Sequence, residues 1–326
     1  MNAHWQGRRE GGGRFALWLI RGIGLHLGRP LTRLILYPVT LYFFFRRGAE
    51  RRATRQFYAR LQGRPASAWQ VMRQFHCYAA TTLDRVFLLA RGTHGFAIEV
   101  EGLETLEALH AEGRGVLLLG AHVGSFEALR ALAGRFPQGR LRVLLDKAQT
   151  PALTALLESL APEVGAAVID ASRDPTAIVL ALAEATREGA LVALLADRAR
   201  RGEATRMTPF LGVPAPLPTS PWLLAAALDV PVLLCFGLYL GGNRYRLLFE
   251  PFADRVTMPR AQRAAALDAA LTRFAARLEA IARTYPRNWF NFYDFWQATA
   301  DATGTGAGAA AGDAGAGADP RGHAGS

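Results

Sequence analysis

The order of apolar and polar positions divides the chain into an apolar start, a long alternating middle and a polar tail. "SAWQVMRQFHCYAATTLDRVFLLARG", Ser67–Gly92, keeps its apolar residues at helical spacing and ends on a glycine, which predicts a long helix. From Phe96 the period changes. Short apolar runs at Phe96–Val100, Gly115–Ala121, "LRVLLD", "AAVID" and "ALVALLAD" read as strands, and Leu103–Ala111, Ser125–Phe136, Pro151–Leu160 and Pro175–Glu188 read as helices between them. That alternation predicts an α/β fold, a mostly parallel sheet covered by helices on both faces. The Pro/Gly-rich stretch Arg198–Pro221 is expected to be a long functional loop, because structureless connections of that length are uncommon. "VPVLLCFGLYL" and "RYRLLFEPF" are expected to pair antiparallel across the turn "GGN", and Pro259–Thr284 to form a final helix. The expected organisation is a flexible start at 1–13, a membrane-associated helical anchor with a basic cluster at 14–62, an α/β domain at 63–297 and a disordered low-complexity tail at 298–326.

The apolar start is not a secretory signal. "FALWLIRGIGLHLGRPLTRLILYPVTLYFFF", Phe15–Phe45, is broken by Arg21, Arg29 and Arg33, and no small-residue cleavage site follows it. Its longest uncharged run, Leu34–Phe45, is shorter than the roughly 20 residues that span a bilayer. It is expected to lie in the membrane interface; a tilted span with snorkelling arginines and a helix pair packed on the domain are the alternatives. The next segment, "RRGAERRATRQFYAR", carries six arginines against one glutamate, a cluster that attracts anionic lipid head groups and marks a cytoplasmic side.

Composition changes this picture little. With 51% hydrophobic residues in 326, the chain has ample material for a core. The formal charge of +11 suggests an anionic partner, but lysine occurs only at Lys147 and arginine is abundant throughout, so only clustered arginines carry weight. The basic cluster flanks an apolar segment, and neither an RNP-like aromatic strand nor a basic recognition helix is present, so no nucleic-acid partner is expected. Cys77 and Cys235 stand far apart in apolar sequence and read as buried thiols. The seven histidines form no HxxxH or HExxH pair, and dinucleotide and phosphate-loop fingerprints are missing, so neither a metal nor a nucleotide cofactor is expected.

The candidate chemistry lies in "GVLLLGAHVGSFEAL", where a buried strand delivers His122 and a short turn leads to Glu127. On one continuous helix these residues would stand about 140° apart. With His122 at a strand end, Gly124 in a tight turn, Ser125 as N-cap and Glu127 in the first helical turn, the carboxylate reaches the imidazole. Glu127 would then fix the tautomer of His122 and let it take a proton from an attacking hydroxyl. Spacing alone leaves a second reading open, a satisfied core histidine beside a glutamate that complements a helix N-terminus. Ser125 is no nucleophile elbow, because Val123 and Glu127 stand where that motif needs glycines.

The same segment carries an H-x-x-x-x-[DE] motif, and in order with "LLADR" at Leu194–Arg198, "TPFLGVPAPLPTSPWLLA" at Thr208–Ala225 and "PRNWFNFYDFW" at Pro286–Trp296 it resembles the bacterial lipid A biosynthesis lauroyl/myristoyl acyltransferases, over about Phe15–Trp296. The resemblance implies a glycerol-3-phosphate acyltransferase-like α/β fold and transfer of a fatty acyl chain from an acyl-carrier-protein thioester to a lipid hydroxyl at the cytoplasmic face of the inner membrane. It implies no cofactor, His122 as general base and Glu127 as its orienting carboxylate. Asp197 and Arg198 become candidates for substrate positioning, with a local ion pair as the alternative. Arg206 becomes a candidate for phosphate, and Thr219 and Ser220 for hydrogen bonds to substrate, with helix capping as their other role. The aromatic ending is similar to members that act on other acceptors, such as ornithine, glycine or aryl-polyene lipids. A coenzyme A donor and a non-catalytic lipid-binding scaffold are the remaining alternatives.

Overall fold

Three helices open the described chain: α1 (Gly13–Arg46), bent at Gly28, α2 (Gly48–Gln62) and α3 (Ala68–Arg91). The computed structural model describes residues 13–130, 141–200 and 202–297. The expected tail at 298–326, residues 1–12 of the expected flexible start, and the stretch 131–136 of the helix expected over Ser125–Phe136 lie outside them. Ser67 begins α3 with a capping box: its hydroxyl accepts from Gln70 N at 3.2 Å while the Gln70 side chain accepts from Ser67 N at 2.9 Å. α1 packs against α3, with the Tyr37 ring stacked on His76 at 4.8 Å.

Asp84 ties α1 to the rest of the molecule. Fully buried on α3, its carboxylate accepts from Arg29 at 2.7 and 2.8 Å, from Arg33 at 3.4 Å and from the Tyr245 hydroxyl at 2.9 Å. Arg29 and Arg33 are the charges that interrupt the apolar start. Here they are pinned inward as well as stacked, at 4.8 Å over Phe96 and 5.7 Å over Tyr239. Among the described residues, no helix is long and apolar enough to cross a membrane.

The alternating middle folds as β1 (Ala97–Glu101), α4 (Leu103–Ala111), β2 (Val116–Gly120), α5 (Phe126–Arg130), β3 (Leu141–Leu145), α6 (Pro151–Leu160), α7 (Pro162–Ala166), β4 (Val168–Asp170), α8 (Pro175–Arg187) and β5 (Leu191–Leu195). β6 (Thr205–Phe210), β7 (Val213–Pro218), α9 (Ser220–Leu228), β8 (Val232–Gly241), β9 (Arg244–Ala253) and α10 (Arg263–Thr284) follow. The main sheet runs β1-β9-β8-β2-β5-β3-β4, with β8 and β9 antiparallel and every other neighbouring pair parallel. The expected mostly parallel sheet and its one antiparallel pair are therefore both present, and Gly241 and Gly242 carry the expected turn with positive φ.

Side chains alternate across the central strands and build two cores. Leu117, Leu119, Val192 and Leu194 point into one, with residues of α8, α9 and α10. Val116, Leu118, Leu191 and Ala193 point into the other, with residues of α3 and α4. Burial on both faces is why these strands read as continuous apolar runs rather than as an alternation.

The stretch Arg198–Pro221 corrects the sequence expectation of a loop. Thr205–Phe210 and Val213–Pro218 pair antiparallel, from Thr205 opposite Pro218 to Phe210 opposite Val213. Both strands are edges of a two-stranded ribbon, so prolines that would be excluded from a central strand are tolerated. The turn is Leu211-Gly212, both at positive φ, and Glu279 of α10 steadies it by accepting from Leu211 N at 2.7 Å.

Candidate active site

His122 lies two residues beyond the C-terminal end of β2, and Asp197 two beyond that of its parallel neighbour β5. The register pairs Gly120 with Leu195, and Ala196 N donates to Gly120 O at 2.9 Å. Two residues on, in the same register, the side chains meet. His122 Nδ1 lies 2.7 Å from Asp197 Oδ1, and His122 N donates to Asp197 Oδ2 at 3.1 Å. The C-terminal edge of parallel strands is the usual place for ligands in open α/β sheets.

The Asp197 side chain is fully buried, and Asn291 Nδ2 donates to its Oδ2 at 3.0 Å. Burial alone would raise its carboxyl; the His122 imidazole, the Arg198 charge and the Asn291 amide outweigh burial and hold it down at about 2. The carboxylate is thus ionised, and Nδ1 of His122 carries the proton it donates. The basic lone pair of the ring is then on Nε2, and the side chain stays 31% exposed. Burial, helped by the charge of Arg198, pulls the His122 pKa below 6.5 against the opposing fields of Asp197 and Glu127.

Arg198 meets Asp197 through an intermediary. Its Nε donates to Asn291 Oδ1, its terminal nitrogen donates to Phe290 O at 2.9 Å, and its guanidinium lies 5.5 Å over the Tyr293 ring. Asn291 therefore bridges the carboxylate and the guanidinium, with its amide in one orientation.

The turn after His122 is built by close backbone approach. Gly124 has φ +70°, and a Cβ there would sit 2.0 Å from Gly237 O of β8. Gly124 N donates to Asn288 O at 2.9 Å, Ser125 N to Gly237 O at 2.6 Å, and Phe290 N to His122 O at 3.0 Å. Asn288 is buried and trades two hydrogen bonds with the Tyr239 backbone, at 2.8 and 3.0 Å. The segment after α10 is thereby sewn along the site. Its aromatic residues pack inward: Trp289 stacks on Phe57 at 5.2 Å and on Phe210 at 5.3 Å, and Phe290, Phe295 and Trp296 are buried.

Ser125 caps α5 as expected, accepting from Ala128 N at 3.3 Å. Glu127, in the first turn, is buried, but its carboxylate is turned to Arg85 at 2.9 Å and to the Ser125 hydroxyl at 3.3 Å. The expectation that Glu127 fixes the imidazole tautomer is therefore corrected, because the carboxylate on Nδ1 is that of Asp197 and an α3 arginine holds Glu127. Three other candidates stand apart from this cluster. Arg206 is exposed and pairs with Asp268 of α10 at 3.6 Å. Thr219 starts α9 without a side-chain cap and donates to Ala204 O at 3.2 Å, while the Ser220 hydroxyl bonds the Glu203 carboxylate.

Asn288 and Arg85 were missed by sequence reasoning as parts of the site. Asn288 flanks the closing aromatic run, which is the one signal that marks it, whereas Arg85 follows Asp84 on α3 and carries no such signal.

The arrangement offers a basic imidazole nitrogen, oriented by a buried carboxylate, at the mouth of a parallel sheet. A family model described as bacterial lipid A biosynthesis acyltransferase matches residues 72–297, which include all of these side chains. No curated protein matches the chain.

Proposed function

Because the chain belongs to the bacterial lipid A biosynthesis acyltransferase family, and so is an acyltransferase acting on lipid, we propose that it moves a fatty acyl group from an acyl-carrier-protein thioester to a lipid hydroxyl, with His122 as general base and Asp197 as its orienting carboxylate. The observation that carries this reading is the 2.7 Å contact between His122 Nδ1 and the buried Asp197 carboxylate, which leaves Nε2 as the proton acceptor.

Nε2 takes the proton of the acceptor hydroxyl as its oxygen attacks the thioester carbonyl. The tetrahedral intermediate then expels the thiolate, which recovers the proton from the imidazolium, so the products are an ester and a free thiol. Asp197 stabilises the imidazolium in between. Glu127 adds a second negative field that favours the imidazolium, and Arg198 opposes premature protonation of the base. Lipid A precursors fit the family; the aromatic ending keeps other hydroxylated lipids among the acceptors.

The reaction needs a lipid surface, and α1 offers one. Leu31, Leu34, Ile35, Leu41, Tyr42 and Phe45 are exposed at helical spacing, while Arg52 and Arg55 are exposed on the adjoining α2. This supports docking on the cytoplasmic face of the inner membrane. The protein is expected to co-sediment with vesicles containing phosphatidylglycerol, and Leu34→Glu with Phe45→Glu to reduce the bound fraction severalfold; unchanged sedimentation would remove this face from the interface.

The test of the chemistry is transfer by the purified protein to an extracted lipid acceptor, with acyl-carrier-protein and coenzyme A thioesters in competition and kcat/KM followed against pH. A neutral imidazole is the active form, so the rate is lost as pH falls through the His122 pKa. Because that pKa is lowered, the acid limb is expected below 6.5. Arg198→Gln removes a lowering charge and moves the limb up; Asp197→Asn removes a raising one and moves it down. Preference for the coenzyme A thioester would reassign the donor, and a limb that neither substitution moves would remove His122 from the role of base.

A further inference from the structure

We infer that a second site, separate from the His122 cluster, binds a phosphate ester at the corner where α2, α3 and the turn after α10 meet. A cavity of about 450 Å³ opens there, lined among others by Trp69, Arg73, Arg283 and Arg287. It contains none of the residues that bond to His122, Asp197 or Glu127.

The charge of this cavity is uneven in a way that favours a doubly charged anion. Arg283 is compensated: Glu279 accepts from it at 2.7 and 3.0 Å, and a third bond runs from it to Leu61 O at 3.0 Å. Arg73 and Arg287 have no carboxylate partner among the described residues. No acidic side chain lines the cavity. Two guanidiniums from different elements, one on α3 and one on the turn Pro286–Asn288, thus face the same space with their charges unspent, while the third is a fixed wall. Planar forks approaching from two directions match the several oxygens of a phosphate better than the single edge of a carboxylate.

The other walls suit the organic part of an ester. Trp69 is 61% exposed, with the Arg73 guanidinium 6.0 Å over its ring, and Leu61 and Pro286 add apolar surface beside it. Buried Tyr58 closes the inner side, and its neighbour Phe57 stacks on Trp289. The cavity therefore sits at the outer end of the segment whose next residues bond to Gly124 and His122.

Both a soluble phosphate ester and a phospholipid head group carry this chemistry. Binding of inorganic phosphate and glycerol 3-phosphate is measured by calorimetry, and binding to phosphatidylcholine vesicles with and without phosphatidic acid by sedimentation. The full-length protein is compared with Arg73→Gln/Arg287→Gln and with the charge-matched Arg260→Gln/Arg263→Gln, two exposed arginines at and just before the start of α10 that line neither the cavity nor the α1 and α2 face. Saturable binding of soluble phosphate that weakens about tenfold or more in the first variant alone supports the site and a soluble source. Phosphatidic-acid-dependent vesicle binding that is lost in the first variant alone, without soluble binding, supports the site and a lipid source. Equal losses in both variants, or no phosphate-dependent binding in either arm, overturn the inference. His122→Ala is expected to bind as wild type does, so failure of the catalytic proposal and failure of this one are read separately.

Discussion

His122→Ala is expected to lower kcat for acyl transfer by about three orders of magnitude or more, with the fold and the lipid affinity retained. The side chain is partly exposed and forms no part of either core, so its loss opens no cavity; what it removes is the imidazole nitrogen held at the sheet edge by the buried Asp197 carboxylate. Asp197→Asn is expected to follow closely, by about two to three orders of magnitude. An amide in that place presents an N–H to Nδ1, which turns the imidazole to the tautomer whose Nε2 carries the proton and cannot accept one. Glu127→Gln is expected to behave differently, lowering the melting temperature along with the rate, because it leaves the Arg85 guanidinium beside a neutral side chain in a buried position. The measurement is single-turnover transfer together with thermal melting for each variant. Wild-type turnover in His122→Ala would sink the general-base assignment. Full activity in Asp197→Asn, with loss of the chemical step in Glu127→Gln, would return the orienting role to Glu127.

The difference between these two carboxylates marks the limit of what the chain discloses on its face. The alternation of buried strands and helices was enough for the parallel sheet, because strands covered on both faces must be apolar throughout. It was enough too for the strand-turn-helix path around His122, since Gly124 and Ser125 are the residues such a turn requires. Glu127 is near His122 in sequence, and local spacing made it the natural partner. The partner that the fold supplies is 75 residues away. Its position follows from strand register: β2 and β5 are neighbours, each continues two residues past its last paired position, and those residues are His122 and Asp197. Order along the chain does not state which strands are neighbours, so that pairing had to come from the structure. The hairpin within Arg198–Pro221 was hidden for another reason. Its prolines read as breaks, and they are compatible with strands only because the ribbon stands outside the main sheet. Arginines at Arg29 and Arg33 likewise read as interruptions of an apolar segment, and their meaning depended on a carboxylate in α3.

That carboxylate carries the largest expected effect on stability. Asp84→Ala is expected to destabilise the protein by about 3 kcal/mol, seen as a lower urea midpoint. Asp84 is fully buried, and four donors converge on it, from Arg29, Arg33 and Tyr245. The two arginine side chains are only 18% and 20% exposed, so water replaces the lost bonds incompletely, and the Tyr245 hydroxyl is left buried without its acceptor. The partial exposure of the guanidiniums keeps the figure at the lower end for a broken buried pair. Tyr245→Phe removes one neutral donor and leaves both ion pairs, so it is expected to cost about 1 kcal/mol. The damage should be directional as well. Arg29 and Arg33 lie just beyond the Gly28 bend and hold α1 against Asp84 of α3, Tyr239 of β8 and Gly242 of the β8–β9 turn, so losing the Asp84 anchor frees α1 before the sheet. Trypsin cleavage after Arg33 is therefore expected to accelerate in Asp84→Ala under conditions where wild type resists it. Since α1 carries the exposed apolar stripe, vesicle binding should fall in the same variant while the pH limb of the chemical step stays in place. A loss of less than about 1 kcal/mol, or cleavage spread evenly over the chain, would mean that the arginines are held by their stacking on Phe96 and Tyr239 and their bonds to Gly242 O and the Tyr239 hydroxyl rather than by Asp84.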